Sequence, residues 1–170
     1  MTQLQIIKTQ RFFLLPVLLV LLISGCGFHL RGDLVLPSLY QRVYLVANGH
    51  TDISKPLKAA LESVGTKMEP TAQSATSVVT LLSRGVQRRA LNVAGKQIRE
   101  YELQLNVAFV VQDSTGKQIG DQQTVSIIRT FRNNTSNVLG TGNEEDIIRR
   151  EMNQAAVLQI LRRMKAIAEK

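Results

Sequence analysis

Cysteine is all but missing from this 170-residue chain: Cys26 stands alone, and a single thiol closes no disulfide within the molecule. The fold must therefore stand on burial alone. Histidine is nearly as scarce, and His29 and His50 are too isolated to form a paired metal-ligand spacing. No Gly-x-Ser-x-Gly, no phosphate-cradling glycine loop and no dinucleotide fingerprint occurs. The carboxylate pairs that exist, Glu144-Glu145 and Glu100/Glu102, read as helix-start charge and as the wet face of a strand. An enzyme is not expected, and neither a metal nor a diffusible cofactor. The apolar run Phe12 to Ile23 is also short: twelve residues, including Pro16, against the ~20 that a membrane-spanning helix needs.

What that run does have is context. It follows Lys8 and Arg11 and ends in Ile23-Ser24-Gly25-Cys26, the layout of a secretory signal peptide. The small residues before the cysteine resemble a bacterial lipobox, where the chain is cut before the cysteine and acyl chains are placed on its sulfur and new amino group. Residues 1–25 are then a removed signal, Cys26 is the lipid-attachment residue, and 26–170 is a single domain, large enough for a core of its own. Buried methylenes contribute roughly 0.8 kcal/mol each, so several acyl chains anchor stably. Gly27 follows the cysteine. In the lipoproteins this segment resembles, an aspartate there favours the inner membrane, so the outer membrane is expected.

Losing Lys8 and Arg11 leaves 19 basic residues against 13 acidic ones, a net charge of +6. A surplus of this size suits a polyanionic partner. For an exported chain, that partner is phosphorylated lipid or an acidic protein in preference to nucleic acid. Solubility alone accounts for the same number.

Along the mature chain, Arg42 to Ala47 is rich in strand formers. Ser54 and Pro56 suggest a helix start, Leu57, Ala60, Leu61 and Val64 share one helical face, and Gly65 stops it. Val78 to Leu82 is a second strand, apolar on both faces. From Arg99 to Gln112 the period is two, with Tyr101, Leu103, Leu105, Val107, Phe109 and Val111 on the dry side. After the turn Asp113-Ser114-Thr115-Gly116, a fourth strand runs from Thr124 to Arg132. Asn133 to Gly142 reads as a loop, and Asn143 as the N-cap of a last helix with Glu144, Glu145 and Asp146 in its first turn. The fold expected is α+β: a four-stranded, mostly antiparallel sheet with two helices packed on one face, in the order β-α-β-β-β-α. Strands two to four form an antiparallel meander through short connections.

Ile148, Met152 and Ala155 mark one apolar face of the last helix, and Val157, Ile160, Leu161, Met164 and Ala168 another about half a turn away. Two apolar faces need two covers. One is the sheet; the other is a partner, with Ile160 and Met164 as its contacts, or a kink or a second helix within the domain.

Basic side chains crowd the second and third strands at Arg84, Arg88, Arg89, Lys96 and Arg99, with Arg129 and Arg132 on the fourth. If strands two and three form a hairpin, its tip is cationic, and arginine's planar fork suits phosphate oxygens. An ordinary charged strand end that discourages aggregation explains them too.

The mature chain would begin Cys26-Gly27-Phe28-His29-Leu30-Arg31-Gly32, and it carries Glu100-Tyr101 in its longest alternating strand and Asn143-Glu144-Glu145-Asp146-Ile147 at the last helix. In these stretches and their order it resembles the lipopolysaccharide-assembly lipoprotein family (LptE, or rare lipoprotein B). The resemblance implies a lipid-anchored outer-membrane protein that helps assemble and plug a large β-barrel partner and binds lipopolysaccharide. A stand-alone lipid- or glycan-binding lipoprotein is the alternative. Some members carry basic residues near positions held here by Val93 or Ala94 and by Thr141, which are not basic, so no contact is carried over from the family. Arg88, Arg89, Lys96, Arg129 and Arg132 are instead the candidates by position and charge. Cys26→Ala is expected to leave an unprocessed precursor whose domain still folds; labelled palmitate entering that variant at the parent level would refute the anchor.

Overall fold

The computed structural model describes residues 34–94, 97–132 and 138–169, with the side chains of 92–99 and 138–143 outside the description. The expected signal peptide, Cys26 and Lys96 therefore fall outside the described residues. Five strands and two long helices make up the domain: β1 (Arg42–Val46), α1 (Thr51–Ser63), β2 (Lys67–Met68), β3 (Ser77–Ala94), β4 (Gln97–Asp113), β5 (Gln123–Arg132) and α2 (Val138–Ala168). The sheet order is β2-β1-β3-β4-β5. β1 runs parallel to both β2 and β3, whereas β3, β4 and β5 form an antiparallel meander.

The α+β class and the meander agree with the sequence reading, and the strand count does not. The sheet is five-stranded and mixed instead of four-stranded and mostly antiparallel. The added strand, β2, is two residues long, too short for any periodicity to register. β3 also continues far past Leu82, because its distal half alternates small or polar residues with Val86 and Ala90 and pairs with β4 up to Ala94↔Gln97.

α1 begins at Thr51, a turn before the expected start, and holds Pro56 in its interior. It is entered through Asn48 and Gly49, both with positive φ (46° and 81°), and the His50 carbonyl accepts from the Ser54 N–H at 3.0 Å. Its end is as the glycine implied. Gly65 has φ +87°, the Thr66 N–H reaches the Leu61 carbonyl (3.0 Å) and the Gly65 N–H reaches Glu62 (3.1 Å), a pair of bonds that closes the last turn. The Asp113 turn is held by its own carboxylate. Oδ1 accepts from the Thr115 hydroxyl (2.6 Å) and from the Thr115 and Lys117 amides (2.9 and 3.0 Å). Those bonds, the hydroxyl's first, hold the Asp113 carboxyl below the usual range.

One face of the sheet forms the core. Leu103, Leu105, Val107, Phe109 and Val111 of β4, with Val125, Ile127 and Phe131 of β5, meet Ile53, Leu57 and Leu61 of α1 and Met152, Ala156, Val157, Ile160, Leu161 and Met164 of α2. Along β3 the inward side changes parity. Val79 and Leu81 lie opposite Val111 and Phe109, but after a bulge between Leu81 and Ser83 it is Arg84, Val86 and Arg88 that lie opposite Val107, Leu105 and Leu103.

The interface assigned to Ile160 and Met164 is corrected here. Both are 0 % exposed, within the domain's own core. Ala156 and the buried Asn153 fill the helical positions between the two apolar stripes, so α2 presents one broad face that the sheet and α1 cover together. Beside Met164, the buried Tyr40 hydroxyl donates to its carbonyl at 2.8 Å. Burial raises the phenol's pKa and keeps it a donor. The last helix also starts earlier than expected, at Val138, so Asn143 is internal and Glu144, Glu145 and Asp146 do not lie in the first turn. Burying an unpaired charge costs several kcal/mol, much of a typical ~5–15 kcal/mol domain stability. Ile160→Asp with Met164→Lys is therefore expected to abolish cooperative melting of the domain; a wild-type melt would return these residues to a partner surface.

Candidate functional site

The bulge in β3 decides where the hairpin's charges go. From Ser83 to Ala90, where the register shifts again, even-numbered residues face the helices and odd-numbered residues face the opposite side of the sheet, which neither helix covers. Arg84 and Arg88 therefore project toward α1 and α2, and Arg89 projects the other way.

Arg84 is absorbed by structure. Its Nη2 donates to Asn153 Oδ1 of α2 (3.2 Å), Nη1 lies 3.6 Å from Asp52 Oδ2 in the first turn of α1, and its buried Nε has no partner. A guanidinium only 17 % exposed thus ties both helices to the sheet.

Arg88, one row farther out, is set differently. Its guanidinium lies 3.7 Å from the centre of the Tyr101 ring and 5.8 Å from that of Phe131, and those two rings stack at 5.5 Å with 22° between planes. A cation at this distance from a ring face gains ~0.5–2 kcal/mol. Nη1 of Arg88 is 3.2 Å from Glu145 Oε2. The other oxygen of Glu145 accepts from Nε and Nη2 of Arg149, at 2.9 and 2.6 Å. Arg129 belongs to the same cross-strand row as Arg88, with Leu103 between them, about 10 Å apart at two strand spacings. It is exposed, and its Nη1 donates to the neighbouring Ile128 carbonyl at 3.1 Å.

Arg89 and Arg132 are on the other face. Arg89 Nη2 is 3.0 Å from Glu102 Oε1, and Arg132 lies opposite Glu100 in the register. The single cationic tip expected from sequence is thus divided: Arg88 and Arg129 face the helix side, Arg89 and Arg132 the reverse. Two residues of the helix-side cluster were not singled out, Glu145 and Arg149. Their i, i+4 spacing is the signal that points to them, and the capping role read for Glu145 hid it. Tyr101, expected on the dry side of its strand, also offers its ring face to a cation. What remains is a cluster of three guanidinium groups and one carboxylate beside the half-buried Tyr101 ring, suited to an anion that also has an apolar part. Among the described residues, no group of three or more His, Cys, Asp or Glu is placed to hold a metal.

A family model described as lipopolysaccharide-assembly, LptE, matches residues 40–164. The LPS-assembly lipoprotein LptE of Pectobacterium atrosepticum is 28 % identical over 159 residues, spanning 92 % of this chain and 85 % of that relative. The solution structure of a lipoprotein B from Nitrosomonas europaea superposes with a TM-score of 0.71 at 25 % identity, over 84 % of this chain and 93 % of that one. A minor lipoprotein from Acinetobacter baumannii gives 0.65 at 25 % identity, over 76 % and 94 %.

The two neighbouring arginines should respond differently to removal. Arg88→Ala is expected to lower stability by about 1–2 kcal/mol, since it strips a ring contact and leaves the partly buried Glu145 with one partner fewer. Arg89→Ala, at an exposed pair, should stay within ~0.5 kcal/mol. Urea unfolding of the two variants checks this, and equal losses would refute the division of faces.

Proposed function

As the chain belongs to the LptE family of lipopolysaccharide-assembly lipoproteins, which are not enzymes, we propose that it is anchored in the outer membrane through acylated Cys26 and binds lipopolysaccharide during its assembly at the cell surface. In this reading it also forms a complex with a large β-barrel protein, which it helps to assemble and whose lumen it plugs. The observation that carries the reading is the family match, which runs from Tyr40, before the first strand, to Met164 near the end of α2.

Chemistry supports the two finer parts. Lipopolysaccharide offers phosphates and carboxylates at the base of acyl chains, and guanidinium groups beside aromatic rings suit both portions. The helices leave one face of the sheet uncovered, and that face carries Glu102, Gln104 and Asn106 across from Thr130, the exposed Ile128 and Ser126. A mostly polar face of that kind is at home against the water-lined wall of a wide barrel.

Two measurements test the proposal. The full-length chain, extracted in detergent at moderate salt, is expected to bring a stoichiometric large β-barrel protein with it; a monomer that binds lipid alone would replace the barrel partnership with a stand-alone lipid-binding role. Changing Arg88, Arg89, Arg129 and Arg132 together to glutamine is expected to weaken lipopolysaccharide binding at least tenfold and to flatten its salt dependence. Glutamine is chosen because a glutamate at position 88 would face Glu145. Lys96 is tested alongside as Lys96→Gln. Parent-like binding at low salt by the combined variant would move the contact away from these side chains.

A further inference from the structure

Within the lipopolysaccharide-contact reading, we infer that Arg88 and Arg149 form one phosphate subsite beside the Tyr101 ring, and that the Glu145 carboxylate occupies this subsite until a phosphorylated lipid displaces it. The inference rests on that reading for the source of the phosphate; the geometry of the subsite stands without it.

Two guanidinium groups from different elements converge on one carboxyl group. Arg149 engages Oε1 through two N–H groups, at 2.9 and 2.6 Å, and Arg88 lies 3.2 Å from Oε2. This is the arrangement in which arginine forks hold oxyanions generally, and a phosphate monoester satisfies it better. It carries a charge of about −1.5 to −2 and three acceptor oxygens, against one charge and two oxygens for a carboxylate. Arg129, exposed in the same cross-strand row and without an acidic partner among the described residues, is a third donor toward a larger anion.

Glu145 is a competitor with an advantage, because it is attached. A group held on the same chain acts at an effective concentration in the millimolar range or above. Free phosphate at lower concentration cannot displace it. A phosphate that arrives on an amphiphile can, since acyl chains settling beside the half-buried Tyr101 ring add apolar burial that Glu145 does not offer. The Arg88–Glu145 contact is the ion pair that joins α2 to the β3–β4 hairpin among the described residues, and a phosphate held by Arg88 and Arg149 takes over that bridge and frees the Glu145 carboxylate.

The test titrates full-length protein in detergent with diphosphorylated lipid A in mixed micelles and, separately, with inorganic phosphate. Glu145→Gln keeps the side chain's shape and removes the competing charge, so it is expected to bind lipid A about tenfold more tightly than the parent. Arg88→Gln with Arg149→Gln should cancel that gain. Parent binding of lipid A that Glu145→Gln leaves unchanged or weakens overturns the inference while the lipopolysaccharide reading stands. No lipid A binding by any form, with inorganic phosphate bound by Glu145→Gln, supports the subsite and overturns the lipopolysaccharide source. The side-chain carboxylate carbon resonance of Glu145 in the parent gives an independent readout should the variant fold poorly: lipid A is expected to shift it, and an unmoved resonance in the lipid-bound parent overturns the displacement.

Discussion

A one-residue offset in β3, between Leu81 and Ser83, is the constraint on which the rest of the hairpin depends. Because side chains alternate along a strand, one extra residue transfers the side chains that follow to the other face, here as far as Ala90, after which the register shifts again. Without it Ser83, Gly85, Gln87 and Arg89 would line the helix side, opposite Val107, Leu105, Leu103 and Tyr101, and the helices would meet a small, polar wall. With it, Val86 packs toward the core and two arginines are drawn beneath the helices. Arg84 then finds Asn153 and Asp52, and Arg88 finds Glu145 and the Tyr101 ring. The same offset aims Arg89 outward at Glu102.

The long C-terminal helix obeys the same economy of faces. Its two apolar stripes looked like surfaces for two different partners because the residues joining them are small or polar. Ala156 is fully buried and Asn153 nearly so. Alanine adds little to an apolar count and asparagine subtracts from it, yet each occupies the space between Met152 and Val157. Asn153 is tolerated there because its oxygen accepts from Arg84. The core is thus continuous around half the helix, with the sheet on one side and α1 on the other.

Long, regular signals were legible and short or offset ones were not. The alternation from Tyr101 to Val111 was read correctly because one face of β4 is uniformly buried, and the meander followed from the short connections around it. Gly65 announced the end of α1 through its backbone freedom. β2 gave no signal, since two residues cannot show a period. The start of α2 was obscured because Val138 to Gly142 includes two glycines, whose weak intrinsic preference was overridden in the folded chain. At the candidate site the residue types were visible, but their division was not. A bulge has no signature in residue type, and without it Arg88 and Arg89 are interchangeable neighbours in sequence although they end on opposite sides of a sheet.

That division also limits what net charge can say. A surplus of eight positive charges over the whole sequence suggests a broadly basic surface, but position decides which charges are available. Arg84 is committed between two helices, Arg89 faces Glu102, and Arg88 shares Glu145 with Arg149. A guanidinium drawn toward the inner face must be matched, because a partly desolvated charge without a partner is costly. An anion site on that face therefore comes with an internal carboxylate that keeps it folded when empty. The carboxylate that stabilises the unliganded arginine pair is the one a ligand has to replace, so affinity and stability are set against each other at Glu145.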